Sequence, residues 1–172
     1  MQIVILSVPS TEIQILCFVG NVKKESDCKL MVENTTEHFG PINGLVNFAG
    51  GQFVSRSERL NEKTWKAVVD ANLTGSFLLA NAVYHSNMKE TGGVIINITS
   101  SDMLVGAGLA GMAHSSAARA GVQNLTNHLA VEWAPKNQSF LSVVWEFLQI
   151  FQKLFVFCFL PRQNLSQGQL LL

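Results

Sequence analysis

Val94-Ile-Ile-Asn-Ile98, set between Gly92-Gly93 and Thr99-Ser-Ser101, constrains the fold more than any other stretch. The run is continuously apolar rather than alternating, the pattern of a strand inside a parallel sheet covered on both faces. Parallel neighbours need crossovers of a dozen or more residues, usually helical, so the flanking chain must supply helices and further strands. Gly44-Leu-Val-Asn-Phe-Ala-Gly-Gly51 supplies one such strand, leaving the sheet through a tight glycine turn. Taken by itself, that stretch reads first as a plain strand-to-loop junction.

The other elements fall into the same alternation. Ile13–Val19 predicts a strand, and Met1–Val8 an edge strand or a frayed end. A helix is predicted from about Glu25 to Phe39, with Cys28, Met31, Val32, Thr35 and Phe39 on one face and Gly40-Pro41 as its stop. Asn61 is placed to cap a long helix whose buried stripe is expected at Trp65, Val69, Leu73, Phe77, Ala80 and Tyr84. A further helix runs from about His114 to Ala134, with Ala118, Val122, Leu125, Leu129 and Trp133 buried and Pro135 closing it; Phe140–Val144 forms one more strand. Strands alternating with helices predict an α/β fold with a doubly wound parallel sheet of the Rossmann-like kind. Ligands of such sheets bind beyond the carboxyl ends of the strands, which makes Gly50–Gly51 and Thr99–Ser101 neighbours in space.

Charge and cysteine content narrow the partners. Twelve basic and twelve acidic residues balance, which gives no electrostatic reason for nucleic acid or an anionic membrane as partner. Cys17, Cys28 and Cys158 form no CxxC pair and suit a reducing, intracellular compartment, and neither they nor the four histidines have metal-ligand spacing. Six Asn-x-Ser/Thr sequons occur, and those on predicted strands and helices read as chance. Residues 1–144 are expected to form the sheet domain and 145–172 a divergent apolar tail. Glu146 and Lys153 interrupt that tail, so no membrane span is expected.

Four segments, Leu45–Gly51, Asp70-Ala-Asn-Leu-Thr-Gly75, Asn97-Ile-Thr-Ser100 and His114–Trp133, together resemble the short-chain dehydrogenase/reductase family over roughly Ile13 to Val144. Within it, Gly51-Gln-Phe53, Trp65 and His114–Val122 are most similar to the peroxisomal trans-2-enoyl-CoA reductase branch, and His128–Trp133 is also similar to peroxisomal 2,4-dienoyl-CoA reductase. The resemblance implies reduction of a fatty enoyl-CoA, a small-molecule acyl-CoA substrate, by hydride from NADPH. It implies that Asn21 lies beside the adenine, that Asn47, Ala49 and Gly50 line the cofactor groove, and that Asn72 holds a water and shapes the active-site helix. By the same resemblance Ser100 hydrogen-bonds the substrate oxygen, and Arg119 takes the place of the lysine that grips the nicotinamide ribose. Each has a plainer reading: a strand-end cap for Ser100, a helix-kink partner for Asn72, a solvated charge for Arg119. Helices at about 61–90 and 114–134 resemble those through which the family forms oligomers, so a homo- or hetero-oligomer is expected. The family also suggests a peroxisomal location, but the sequence ends Leu170-Leu-Leu172 without a Ser-Lys-Leu type address, which leaves the cytoplasm open.

The chain departs from the family pattern in three places. No Gly-x-x-x-Gly-x-Gly turn, the usual pyrophosphate cradle, precedes residue 44. The Tyr-x-x-x-Lys pair is replaced by Ser115 and Arg119, or in a slightly later register by Gln123 and Asn127. Neither amide exchanges a proton near neutral pH, which leaves His114 and Asp102 as the substitute acids to consider. The last strand of the family is not seen. The expected sheet is therefore incomplete, without the first βα unit and the last strand, as in a chain truncated at both ends. Two readings follow: an NADPH-dependent enoyl-CoA reductase, by resemblance, and a non-catalytic truncated member, inactive alone or associated with full-length subunits. The missing proton donor favours the second on chemical grounds.

Overall fold

The computed structural model describes residues 2–7, 14–99, 108–134 and 140–146. The parallel sheet has the order β3(Gly44–Asn47)–β4(Gly93–Thr99)–β5(Phe140–Glu146). Register pairs Leu45 with Ile95, Asn47 with Asn97, and Ile98 with Trp145, so β5 continues two residues past its expected end. Ahead of this sheet, β1(Gln2–Ser7) and β2(Gln14–Val19) pair antiparallel with each other as a separate two-stranded sheet. The alternation of the whole chain had suggested parallel strands throughout. Only six residues separate β1 from β2, too few for a crossover, and a short connection admits an antiparallel pair alone.

The described helices pack on one face of β3–β5. Leu45 and Ile95 point into a cluster formed by Val32 of α1(Glu25–Phe39), Ala80 and Val83 of α3(Gly75–Val83), and Leu129 of α5(Ala113–Trp133). A second cluster joins Val22, Cys28, Met31 and Leu79, with Phe18 and Ala49 packed against it. Cys28 donates its thiol to the Val22 carbonyl, and burial pushes the thiol up to about 11, which keeps it protonated and inert. On β4, Ile95, Asn97 and Thr99 are at most 1% exposed, but Val46, on the opposite face of neighbouring β3, is 55% exposed. Burial of β4 is thus deepest on the helical side.

One helical run extends from residue 62 to 91. It comprises α2(Glu62–Val69), a π turn at Asp70–Thr74, α3, a second π turn at Tyr84–Met88, and α4(Lys89–Thr91). Asn61 caps it as expected: its side chain accepts from the Thr64 N–H, and the Thr64 hydroxyl accepts from the Asn61 N–H. Ala80 is buried as predicted, but the rest of the buried stripe is Val68, Asn72, Ser76, Leu79 and Val83, one residue earlier than Val69, Leu73, Phe77, Ala80 and Tyr84. Trp65 and Phe77 are consequently 41% and 39% exposed. Apolar periodicity passes over positions 72 and 76 because they are polar, yet both are buried with their hydrogen bonds made.

The second π turn presents Asn87 to the loop that follows α1. Its side chain accepts from the Ile42 N–H and donates to the Ile42 carbonyl, each at 2.9 Å, imitating one rung of a sheet ladder. Both Ile42 groups are partly buried, and losing their partner leaves them underbonded. Asn87→Ala is therefore expected to destabilise the fold by about 2 kcal/mol, read by urea denaturation; a shift below a few tenths of a kcal/mol would show that water serves Ile42 equally well.

Candidate active site

The carboxyl ends of β3 and β4 open beside the start of α5, where loops carry the expected ligand-facing residues. Asn72 organises this region. The widened turn at 70–74 disturbs the i→i+4 ladder, and the Asn72 amide turns back to donate to the Val68 carbonyl at 2.8 Å. The same amide donates to the Gly51 carbonyl at 2.7 Å, and its oxygen accepts from the Gly51 N–H at 3.4 Å. One buried side chain thus clamps the loop after β3 onto the helix. Gly50 has to be glycine for that clamp to close, because a Cβ there would lie 2.5 Å from Asn72 Oδ1.

Arg119 approaches the same spot from α5. Its Nη2 lies 4.0 Å from where a Cβ on Gly50 would sit. Its Nε is buried without a hydrogen-bond partner, and among the described residues no carboxylate pairs with it. Burial lowers the guanidinium pKa from its ordinary value, but arginine stays charged at any working pH. A half-buried cation without a counter-ion suits an electron-rich ligand atom. One helical turn earlier, Ser115 is fully buried, and its hydroxyl donates to Gln52 Oε1 at 2.8 Å. That hydroxyl is tied to the β3 loop.

Asn47 is turned inward. It is 3% exposed, and its amide donates to Asn97 Oδ1 at 3.2 Å; Asn97 in turn donates to Thr126 Oγ1 at 2.9 Å, and Thr126 to the Val122 carbonyl at 2.7 Å. This chain of bonds sews β3 to β4 and β4 to α5 immediately beneath the loops. Sequence reasoning missed Asn97 and Thr126 as members. The available signal was the polar residue Asn97 standing alone in an apolar strand, fifty residues from Asn47. Ala49 is half-buried against the Val22–Leu79 cluster. Asn21 sits in the turn after β2, where its carbonyl and side-chain oxygens accept from Lys24 and Lys23 N–H groups and its own N–H donates to Asp27. Val22, next to it, packs against Gly75, which brings this turn toward the top of α3.

The structure therefore gathers Gly50, Asn72 and Arg119 into one site and sets Asn47 in the layer below. Ser100 and Asp102 lie outside the described residues. Gln123 is half-buried and Asn127 exposed farther along α5. Tyr84 packs face to face on Trp133, with ring centroids 4.1 Å apart, within the first core cluster.

A nicotinamide dinucleotide fits the part of the site that is described on its ribose side: the exposed Gly50–Gly51 backbone lies beside an uncompensated Arg119. The fit does not extend to the pyrophosphate at α1, the first helix, because Glu25 and Asp27 occupy its first turn and would repel phosphate.

The short chain dehydrogenase family profile matches residues 3–144. A probable 2,4-dienoyl-CoA reductase of Bacillus subtilis (strain 168) is 39% identical over 124 residues, which cover 72% of this chain and 48% of that protein. Peroxisomal 2,4-dienoyl-CoA reductase of Mus musculus is 36% identical over 117 residues, covering 68% of this chain and 39% of the relative. The chain thus spans at most about half the length of these curated relatives. Among solved structures, a gluconate 5-dehydrogenase from Burkholderia cenocepacia J2315, in complex with NADP and tartrate, has the same fold at a TM-score of 0.65. It is 24% identical and covers 73% of this chain and 48% of its own.

Proposed function

The chain belongs to the short-chain dehydrogenase family, and from that premise we propose that it contributes the nicotinamide-side half of an NADPH-dependent reductase of enoyl or dienoyl thioesters. The observation that carries this reading is the convergence of Gly50, Asn72 and Arg119. Asn72 holds the loop after β3 open as bare backbone, and Arg119 presents an unpaired Nε beside it. Bound NADPH supplies the hydride. Arg119 would hold the ribose hydroxyls, and Asn72, by fixing Gly51, would keep the Gly50–Gly51 backbone facing the cofactor.

A second reading rests on a separate observation. Ser115 donates its proton to Gln52, and Arg119 stays protonated, so neither position of the family's acid pair exchanges a proton here. A chain of this kind binds cofactor, or associates with other family subunits, without turning over. Trp65 and Phe77, exposed on the long helical run, suit such an association.

Titrating the purified chain with NADPH, followed by crotonyl-CoA reduction, separates the two readings. Binding with turnover supports the reductase, and binding without turnover supports the silent member. An absence of binding removes the reductase reading. Arg119→Met is expected to raise the melting temperature, because a desolvated cation without a partner is replaced by an apolar chain. The same variant should weaken NADPH at least roughly tenfold, with Arg119→Lys intermediate. If Arg119→Met binds NADPH like the parent, Arg119 does not touch the cofactor.

A further inference from the structure

His114 is fully buried in the first turn of α5, and both of its ring nitrogens lack a hydrogen-bond partner. Buried polar side chains nearly always have one, so an orphaned imidazole calls for a specific cause. Phe53 stands edge-on to the ring, with centroids 4.7 Å apart and planes at 69°, and is itself 41% exposed, so one face of the cover over the imidazole reaches solvent.

The surroundings say what would enter. Val54 and Leu109 are 74% and 55% exposed, and they stand near Phe53 because the Ser55 N–H donates to the Gly111 carbonyl and Met112 N–H to Leu109. Three exposed apolar side chains are therefore carried by the two segments that meet at the start of α5. α5 starts at this point without a side-chain cap, which adds the partial positive charge of a helix N-terminus. An apolar chain ending in a negatively polarised oxygen meets all three conditions. Ser115, the next residue, donates its hydroxyl to Gln52 and so joins the first turn of α5 to the loop after β3 beside the ring.

We infer that His114, beneath Phe53, donates a hydrogen bond to the carbonyl oxygen of an acyl thioester whose chain lies along Phe53, Val54 and Leu109. This inference rests on the reductase reading above and names its substrate subsite.

Decanoyl-CoA, a saturated thioester that cannot be reduced, is the probe, with free coenzyme A and NADPH titrated alongside. His114→Phe fills the space without a donor and is expected to weaken decanoyl-CoA roughly tenfold, whereas His114→Gln, which keeps an N–H, should stay within about threefold of the parent. NADPH and free coenzyme A should bind both variants as they bind the parent. In the parent, ¹⁵N-labelled imidazole spectra should show one histidine signal moving on addition of decanoyl-CoA, the signal that His114→Gln lacks. Unchanged decanoyl-CoA affinity in His114→Phe, or an unmoved signal, overturns the inference. So does a parent that binds NADPH but not decanoyl-CoA, and in that case the cofactor reading survives. A parent that binds neither overturns both.

Discussion

Asn72→Leu should lower the unfolding free energy by about 3 kcal/mol, the largest single-site loss expected in this chain. Leucine has the same branched skeleton, but its methyl groups cannot approach a carbonyl as closely as the amide does at 2.7 and 2.8 Å, so overpacking adds to the lost bonds. Asn72 donates to the Gly51 and Val68 carbonyls and accepts from the Gly51 N–H, and the residue is 3% exposed. Leucine removes the partner of the buried Val68 carbonyl and frees both Gly51 backbone groups from the helix, so the loop after β3 loses its clamp. Asn72→Asp tests the direction of the bonds. A carboxylate still accepts from Gly51 N–H, but it faces two carbonyl oxygens it cannot donate to, so aspartate should be at least as damaging at neutral pH and milder once protonated. Urea denaturation at pH 7 and pH 4 reads both variants. A leucine variant within about 1 kcal/mol of the parent would mean that the turn at 70–74 re-forms as ordinary helix and releases the loop at little cost.

Asn97→Val should cost about 2–3 kcal/mol, although valine is the better strand former. The substitution strands the amide of Asn47, whose Oδ1 already lacks a partner, and takes away the donor to Thr126. If the pair acts as a unit, replacing both partners removes the unmet demand. The double variant Asn47→Val/Asn97→Val should then be more stable than Asn97→Val alone, a coupling that a double-mutant cycle resolves by thermal melts. Simple additivity of the two single losses would show that Asn47 draws nothing from Asn97.

How far the sequence could be read depended on which force placed each residue. α1 was legible at both ends, about Glu25 to Phe39, since they are marked by local chemistry: the Asn21 turn bonded to Asp27 in the first helical turn, and Gly40 at φ 75 after the last. The apolar run of β4 was legible because hydrophobic burial dictates it. The stripe of the long helix was misread by one residue at Asn72 and Ser76, where buried hydrogen bonds outweigh apolar periodicity. The Asn47–Asn97–Thr126 chain was invisible as a chain: its members are brought together only by the parallel register of β3 and β4 and the return of α5. Gly50 and Arg119 were singled out by resemblance to a family, and their closeness, across about seventy residues of sequence, emerges only from the three-dimensional arrangement. The antiparallel pairing of β1 with β2 follows from a short connection whose consequence alternation alone conceals.

The sheet order β3–β4–β5 also sets a sequence of events in time. β4 is the middle strand, bonded on both sides and anchored to α5 through Asn97. β3 contributes only four residues and has a ladder partner on one side among the described residues. Amide hydrogens of Ile95–Asn97 should therefore exchange with deuterium through the largest opening available to the molecule, and those of Leu45 and Val46 through a smaller local one. The loop that carries Gly50 and Gly51 hangs from the strand that opens first. The loop is also held to the helices through Asn72 and Ser115, and a ligand bound across it would be felt in the exchange of Leu45 and Val46 before it is felt in β4.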